Sequence, residues 1–149
     1  MKPNLRTNVV PLIRRRMDEG EYHSIRQLWI AHSIAEDAHD IPGLMATLTE
    51  DCIYTIVNKG VDWHGKAGAT QFYTHLLTAF PDVHFDLQNI VIGPQGVFEE
   101  AFANGTYQSQ WLDMPPPTGQ RVEFFVTILF PWDSDQGLFS GERIYFFLK

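Results

Sequence analysis

The order of the predicted elements indicates an α+β fold, in which helices come first and a long, bent antiparallel sheet follows. Over most of the chain before Pro81, apolar residues recur at helical intervals, whereas after it they alternate as in β-strands. The alternation slips by one residue between Leu87 and Ile90, as a β-bulge makes it do, and bulges bend sheets. This segregated order is not typical of a parallel nucleotide-binding fold.

The first two helices are predicted from capping residues. Ser24 and Gln27 have the spacing of a capping box, and apolar residues recur at helical spacing from there to Asp37. Asp-Ile-Pro at 40–42 reads as a cap followed by proline in the first turn, which predicts a second helix to about residue 49.

The later elements are predicted from β-branched residues, turns and periodicity. A third helix is expected over Gly65–Ala79, because apolar residues recur on one face and Phe80-Pro81 ends it. The predicted strands are Cys52 to Asn58, Val61 to His64, Val83 to Ile92, Val97 to Trp111, Arg121 to Trp132 and Leu138 to Leu148. In the fifth strand apolar residues occupy both sets of alternating positions, so this strand is expected to be central and covered on both faces.

Composition and charge bound the class of protein. The chain has 149 residues, of which 44% are hydrophobic and 13% aromatic, enough for one domain with a real core. No apolar stretch approaches the roughly 20 residues that span a bilayer, so no membrane association is expected. Cys52 is the only cysteine, which excludes an internal disulfide framework and a thiolate metal cluster and fits a cytoplasmic protein.

Charge is distributed unevenly along the chain, whose net charge is −7. Five of the first 16 residues are basic and none is acidic, whereas the remainder is strongly acidic. Such a body repels phosphate backbones, so no nucleic-acid partner is expected. We therefore predict a basic N-terminal arm over residues 1–21 and one domain over residues 22–149. The arm is either a solvated extension or a strap on a second subunit.

Several short strings resemble those of a known superfamily. They are Thr-Glu-Asp at 49–51, Trp-His-Gly-Lys-Ala at 63–67, Gly-Thr-Tyr at 105–107, Met-Pro-Pro-Pro-Thr-Gly at 114–119 and Gly-Leu-Phe-Ser-Gly-Glu-Arg at 137–143. In this order the chain resembles the nuclear transport factor two superfamily over about residues 22–148, and the proline-rich loop resembles its SnoaL-like polyketide cyclase branch. The resemblance implies a cone-shaped sheet (a cystatin-like roll) packed on three helices around a pocket. It also implies a cofactor-independent cyclase, isomerase or dehydratase, although this architecture hosts binding modules as well.

The known catalytic groups of these relatives are replaced here by apolar residues. By the resemblance, the general acid/base aspartate of the cyclases falls at Ile144, a histidine on the preceding strand at Ile128 and a nearby glutamine at Val126. The aspartate base of the ketosteroid isomerases falls at Ile56. Since isoleucine cannot transfer a proton, neither mechanism carries over unchanged.

Three polar residues are the candidate catalytic groups. By the resemblance, His32 falls where ketosteroid isomerases have a tyrosine and Tyr54 where cyclases have an asparagine, while Glu142 shares a strand face with Ile144. Histidine and glutamate can transfer protons, and tyrosine can donate a hydrogen bond to an enolate oxygen. The residues predicted to contact substrate are Trp29, Ile56, Trp63, Phe72, Val126, Ile128 and Ile144. No metal-ligand spacing and no phosphate-binding glycine pattern occurs, so no metal and no cofactor is expected.

Each assignment has a structural alternative. His32 and Tyr54 fit core packing, and Glu142 with Arg143 fits a charge pair at a sheet edge or dimer interface. The adjacent Glu99-Glu100 place one carboxylate on each strand face, of which one is expected to be solvated. The chain is then an enzyme acting on a hydrophobic carbonyl compound, a binding module without chemistry, or an interaction protein with a filled cone. The expected partners are a small hydrophobic organic ligand and a second copy of the chain.

Overall fold

The computed structural model describes residues 5–149, in which helices precede a long meander of strands. The helices are α1 (Leu5–Arg14), α2 (Glu19–Asp37), α3 (Ile41–Met45) and α4 (Gly65–Ala79). The strands are β1 (Leu48–Ile56), β2 (Val61–His64), β3 (His84–Gly93), β4 (Gly96–Thr106), β5 (Arg121–Asp133) and β6 (Leu138–Leu148). None of the described helices combines the length and the apolar character needed to cross a membrane.

The six strands form one open sheet in the order β2-β1-β6-β5-β4-β3. Four of the neighbouring pairs are antiparallel, and β1 pairs with β6 in parallel. Helices α2 and α4 pack on the inner face of this sheet. The predicted α+β fold is confirmed, with the addition of one parallel pair that joins the early hairpin to the last strand.

Helix α2 begins earlier than the sequence predicts. The carboxylate of Asp18 accepts a hydrogen bond from the backbone N–H of Glu21 at 2.8 Å and caps the helix. The predicted cap, Ser24, lies inside the helix, where its hydroxyl donates to the carbonyl of Gly20 at 3.0 Å. The prediction was wrong because Asp18 already caps the helix there, and acidic residues in the first turn, including Glu19, stabilise this earlier start by interacting with the positive end of the helix dipole.

Helix α3 is shorter than predicted. Asp40 caps it as expected, by accepting from the N–H of Gly43 at 3.0 Å. The helix ends at Met45 instead of near residue 49, because Leu48 already pairs with Phe139 of β6. Strand β1 therefore starts before the β-branched run from which it was predicted.

The later elements lie close to their predicted positions. Helix α4 and strands β2 and β6 have the predicted bounds, and the predicted bulge in β3 lies between Leu87 and Asn89. Strand β4 ends at Thr106 and not at Trp111, since just beyond it the chain leaves β5 and the N–H of Gln108 donates to the carbonyl of Ala79 at 2.8 Å. Strand β5 is central, but only its inner face is fully buried, while its outer face is half-buried.

The predicted basic arm includes a helix and contacts the rest of the same chain. Arg15, just after α1, forms an ion pair with Glu21 and donates to the carbonyl of Pro94 in the turn between β3 and β4. The side-chain amide of Gln95 in that turn donates to the carbonyl of Leu12 at 2.5 Å. The division at residue 21 stays a prediction, although α2 already begins before that residue.

The strand register aligns side chains into rows on each face of the sheet. On the inner face, Ile56 lies beside Ile144, Ile144 beside Ile128, and Ile128 beside Glu99. The three isoleucines that stand where the superfamily carries catalytic groups are therefore neighbours across β1, β6 and β5. Glu99 of β4 continues the same row.

Candidate functional site

Three side chains from separate elements surround one carboxylate oxygen of Glu142 on the inner face of the sheet. Oε1 of Glu142 lies 3.0 Å from Nε2 of His32, 3.1 Å from the hydroxyl of Tyr54 and 3.0 Å from the hydroxyl of Tyr73. His32 and Glu142 are only 1% and 2% exposed. The structure thus brings the three predicted catalytic residues together and adds Tyr73, which the sequence analysis missed.

Strand alternation turns Glu142 inward. Glu142, Ile144 and Phe146 are buried, whereas Arg143 and Tyr145 are exposed, which confirms the predicted alternation along β6. Glu142 is therefore not part of a charge pair with Arg143 at the sheet edge. Its partners come from three other elements: His32 from α2, Tyr54 from β1 and Tyr73 from α4.

The tautomer of His32 follows from its second ring nitrogen. Nδ1 lies 2.7 Å from the Thr47 hydroxyl, and that hydroxyl donates its single proton to the carbonyl of Leu44 at 2.7 Å. The hydroxyl oxygen can then only accept from the ring, so Nδ1 carries a proton. This hydrogen bond fixes the ring and aims Nε2 at Glu142.

The contact between His32 and Glu142 is a hydrogen bond only if one of the two groups carries an extra proton. Nε2 of a neutral ring with a protonated Nδ1 is an acceptor, and a carboxylate oxygen is an acceptor as well. At 3.0 Å the two atoms form a hydrogen bond only if the glutamic acid is protonated or the imidazole is cationic. Either state holds a transferable proton away from water.

The two tyrosines act as hydrogen-bond donors. Burial raises the pKa of Tyr54 and of Tyr73 well above the ordinary value, and the charge of Glu142 raises both further. The two hydroxyls also lie 3.0 Å apart, and Tyr73 lies 3.2 Å from Nε2 of His32. Neutral hydroxyls around a carboxylate stabilise its charged form.

Glu36, one turn beyond His32 on α2, is a second carboxyl group beside this cluster. Burial raises its pKa well above the ordinary value, and the nearby charges of Glu142, Glu99 and Asp37 raise it further. Its contact with the hydroxyl of Tyr73, at 3.5 Å, opposes the shift weakly. Glu36 is thus set up to stay protonated under conditions in which an ordinary glutamate is ionised.

An apolar cavity of about 50 Å³ adjoins the two carboxyl groups. Glu36 and Glu142 are its polar lining residues. Of the predicted substrate contacts, those that line it are Ile56, Phe72, Val126, Ile128 and Ile144. A drug-sized ligand needs roughly 300 Å³ or more, so such a guest requires the wall to move. The half-buried side chains of Leu76, Val83 and Phe85 line the cavity and are the candidates to move.

The other two predicted contacts lie elsewhere. Trp29 lines a second cavity of about 140 Å³, which also contacts His32 and Glu99 and shares Glu36 and Phe85 with the apolar cavity. Trp63 lines neither cavity, because it packs edge-on against the outer side of the Phe72 ring with the centroids 5.2 Å apart.

Tyr73, Glu36 and Glu99 are the residues that sequence reasoning missed. Tyr73 lies one helical turn from Ala69 in the predicted stripe of α4, and Glu36 one turn from His32, so helical spacing could have found both. Glu99 is 5% exposed and faces inward, while its neighbour Glu100 is the more exposed of the two.

The cluster also has donors of the kind that bind metal ions, although no metal motif occurs in the sequence. His32, Glu36 and Glu142 each offer one ligand atom, and these atoms lie within 4.8 Å of one another. Imidazole and carboxylate suit Zn²⁺, Mn²⁺ or Fe²⁺. The same atoms already hydrogen-bond within the cluster, so a metal ion would replace the proton between His32 and Glu142.

Several solved structures have the same architecture as this chain. A candidate SnoaL-like polyketide cyclase from Jannaschia sp. CCS1 has a TM-score of 0.73 and 17% identity, covering 91% of this chain and 92% of its own. A candidate polyketide cyclase from Pseudomonas putida KT2440 has a TM-score of 0.65 and 24% identity, with coverages of 79% and 87%. AclR, a candidate hydroxylase from Streptomyces galilaeus, has a TM-score of 0.66 and 18% identity, with coverages of 86% and 90%.

These TM-scores establish the fold, which is the nuclear transport factor two-like α+β cone that the sequence motifs imply. None of the curated proteins compared with the chain is similar enough to count as a match. The model of the SnoaL-like domain matches residues 29–138, which include His32, Tyr54 and most of the sheet. Because this match spans well over half of its length, the chain belongs to the SnoaL-like domain family.

Proposed function

We propose that this protein is a cofactor-independent acid/base enzyme that acts on a hydrophobic carbonyl compound, as a polyketide cyclase, isomerase or dehydratase does. The observation that carries the proposal is the position of Glu142, whose carboxylate is held by His32 and two tyrosines and also lines an apolar cavity. Such buried, hydrogen-bonded groups cost stability when they only fill space, and functional sites are where they are retained.

The two carboxyl groups at the cavity have environments that separate their roles. When the imidazole of His32 is cationic, Glu142 has three donors to stabilise its charge, and in this state it is the base that takes a proton from the carbon next to the carbonyl. Burial and neighbouring charges keep Glu36 protonated, so it is the acid that donates to the oxygen as the enolate forms. The Cα–H electron pair moves into the new C=C bond, while the π pair of the carbonyl group takes the proton from Glu36. Glu142 then returns a proton to carbon, and the enol O–H returns its proton to Glu36 as the C=O bond re-forms, which regenerates both groups.

A binding module without chemistry is the second candidate. It is favoured by the row Ile56, Ile144 and Ile128, which replaces the catalytic groups that the resemblance implies at those positions. The small volume of the apolar cavity favours the third alternative, a filled cone. Both alternatives predict that Glu142 takes no proton from a guest.

Exchange of α-protons for deuterium tests the proposal without knowledge of the natural substrate. A panel of cyclic and open-chain hydrophobic ketones is followed by ¹H NMR in D₂O, with the parent protein and its variants. We expect the parent to accelerate exchange for at least one ketone, and Glu142→Gln and Glu36→Gln to lower that rate at least about a hundredfold. Glu100→Gln, which changes an acid on the opposite strand face, is expected to retain the parent rate.

The outcomes separate the three candidates. Exchange that survives Glu142→Gln overturns the assignment of the base. Ketone binding with no exchange above that of buffer supports the module without chemistry, and absence of any binding supports the filled cone. We expect a chelator to leave the rate unchanged, whereas loss on chelation and recovery with Zn²⁺ or Mn²⁺ would assign the cluster to metal chemistry instead.

A further inference from the structure

The second cavity connects the buried histidine with solvent. Its inner wall includes His32, which is 1% exposed, and its outer wall includes Asp37 and Leu87, which are exposed. Its volume, about 140 Å³, can hold several water molecules, since one needs roughly 10–15 Å³ by this kind of measure. The cavity thus offers a route to the ring of His32 that does not cross the apolar cavity.

Glu99 lies on the wall of this route. Trp29 holds the carboxylate in place by donating from Nε1 to Oε2 at 3.1 Å, and Oε1 makes no hydrogen bond with the described residues. Glu99 is 5% exposed and forms no ion pair with a described Lys or Arg. This cavity is lined by both polar and apolar residues, and a buried carboxyl group with one free oxygen there can pick up and release a proton.

The charged groups around Glu99 keep its proton exchangeable. His32, Glu36 and Asp37 face the cavity from α2, Glu142 lies beyond on β6, and β3 contributes only the apolar Phe85 and Leu87. Burial and the charge of Glu142 raise the pKa of Glu99 to about 7, against the hydrogen bond from Trp29. Both protonation states are therefore populated near neutral pH.

We propose that Glu99 relays protons between solvent and the His32–Glu142 pair through the second cavity. The inference rests on the proposed function, because exchange of the α-proton for deuterium requires the proton that Glu142 takes from the substrate to reach solvent. Of the two cavities, the second is the one that His32 lines, so it remains a path to the ring while a guest fills the apolar cavity. Each relay step moves one proton from the imidazolium through water to the Glu99 carboxylate, and the glutamic acid then releases it to solvent.

The relay has a readout that needs no substrate. In protein labelled with ¹⁵N-histidine, NMR measures how fast the ring N–H protons of His32 exchange with water. We expect Glu99→Gln to slow this exchange at least about a hundredfold, at the low end of general acid–base effects, and Glu100→Gln to leave it unchanged. Glu99→Asp, which keeps a carboxyl group, should recover part of the loss even if Glu99→Gln alters packing.

A second readout is the pH profile of ketone exchange. With Glu99→Gln we expect the rate to fall and its dependence on pH around 7 to disappear, while Glu100→Gln keeps the parent profile. If Glu99→Gln and Glu100→Gln give the same ring exchange and the same profile, the relay is overturned. If no ketone exchanges in the parent, the proposed function fails, and the ring measurement alone decides whether Glu99 is the proton route.

Discussion

The side chains at Glu142 show how a few hydrogen bonds can determine where a proton resides. Thr47 has one hydroxyl proton, which it donates in a hydrogen bond to the carbonyl of Leu44. The His32 ring must therefore donate from Nδ1 to the Thr47 oxygen. Nε2 and Oε1 of Glu142 then face each other at 3.0 Å, a contact that is a hydrogen bond only with one proton between them. The proposed chemistry depends on that proton and on the carboxyl group of Glu36 beside it.

Glu99 also makes stability depend on pH. Its pKa of about 7 in the folded protein is above the ordinary value of 4.5, so the folded state keeps a proton that the unfolded chain releases. Folding is therefore favoured most below about pH 4.5, and this contribution is lost as the pH rises through 7. We expect the free energy of unfolding to fall by up to about 3 kcal/mol from this group, and Glu99→Gln to remove that part.

Urea denaturation at about pH 5 and about pH 8 measures the effect. The matched control is Glu100→Gln, in which the neighbouring acid on the opposite face is changed. Equal pH dependence of the parent and Glu99→Gln would show that Glu99 is ionised freely in the folded protein.

The sequence alone predicted some of the residues of the site. His32, Tyr54 and Glu142 were chosen from positions that the resemblance implies and from strand alternation, and hydrogen bonds do join them. Tyr73 and Glu36 were missed because a polar residue on a helix is normally interpreted as solvent-exposed unless its hydrogen-bond partner across the core is known. That partner is Glu142, more than a hundred residues away from Glu36.

At the scale of elements, the parallel pairing of β1 and β6 positions Glu142. Gly141 lies beside Ile53 with φ at +122°, where the register of the two strands shifts. A Cβ atom on Gly141 would lie 1.9 Å from the carbonyl oxygen of Ile53, so only glycine permits this close approach. The next residue along β6 is Glu142, which pairs with Tyr54.

Gly141→Ala should therefore destabilise the fold strongly. We expect a loss of more than about 3 kcal/mol in the free energy of unfolding, in the range of severe substitutions. The control is Gly60→Ala, because Gly60 also has positive φ, at +65°, but has no atom near its missing Cβ. There we expect only the cost of the left-handed backbone, about 1–2 kcal/mol. Similar losses for both variants in urea denaturation would contradict the account of the β1–β6 junction.

Element boundaries were predictable where local chemistry decides them. The periodicity of α4 and the turn residues around β2 and β6 are local, so their bounds follow from the sequence. The start of β1 at Leu48 depends on Phe139, which is distant in the chain and pairs with it in parallel. No local pattern reveals such a partner, and the parallel pair was missed for the same reason.

At the scale of the whole molecule, the two faces of the sheet differ. The inner face carries the acid cluster and the apolar cavity, while on the outer face Phe102 lies beside Phe125 and Phe125 beside Phe147. Phe147 is 53% exposed. The homodimer expected from the sequence stays a prediction, for which this aromatic row on the outer face is the natural contact, and sedimentation at micromolar concentration would test it.

The central claim is that His32 and Glu142 hold one proton between them, with Nδ1 of His32 protonated by its contact with Thr47. The ¹⁵N NMR spectrum of the His32 ring at neutral pH, assigned by loss of its signals in His32→Asn, measures this directly. We expect Nδ1 to carry a proton and the Nε2 signal to move in Glu142→Gln. A neutral ring protonated only at Nε2, with the same signals in both proteins, would contradict the claim.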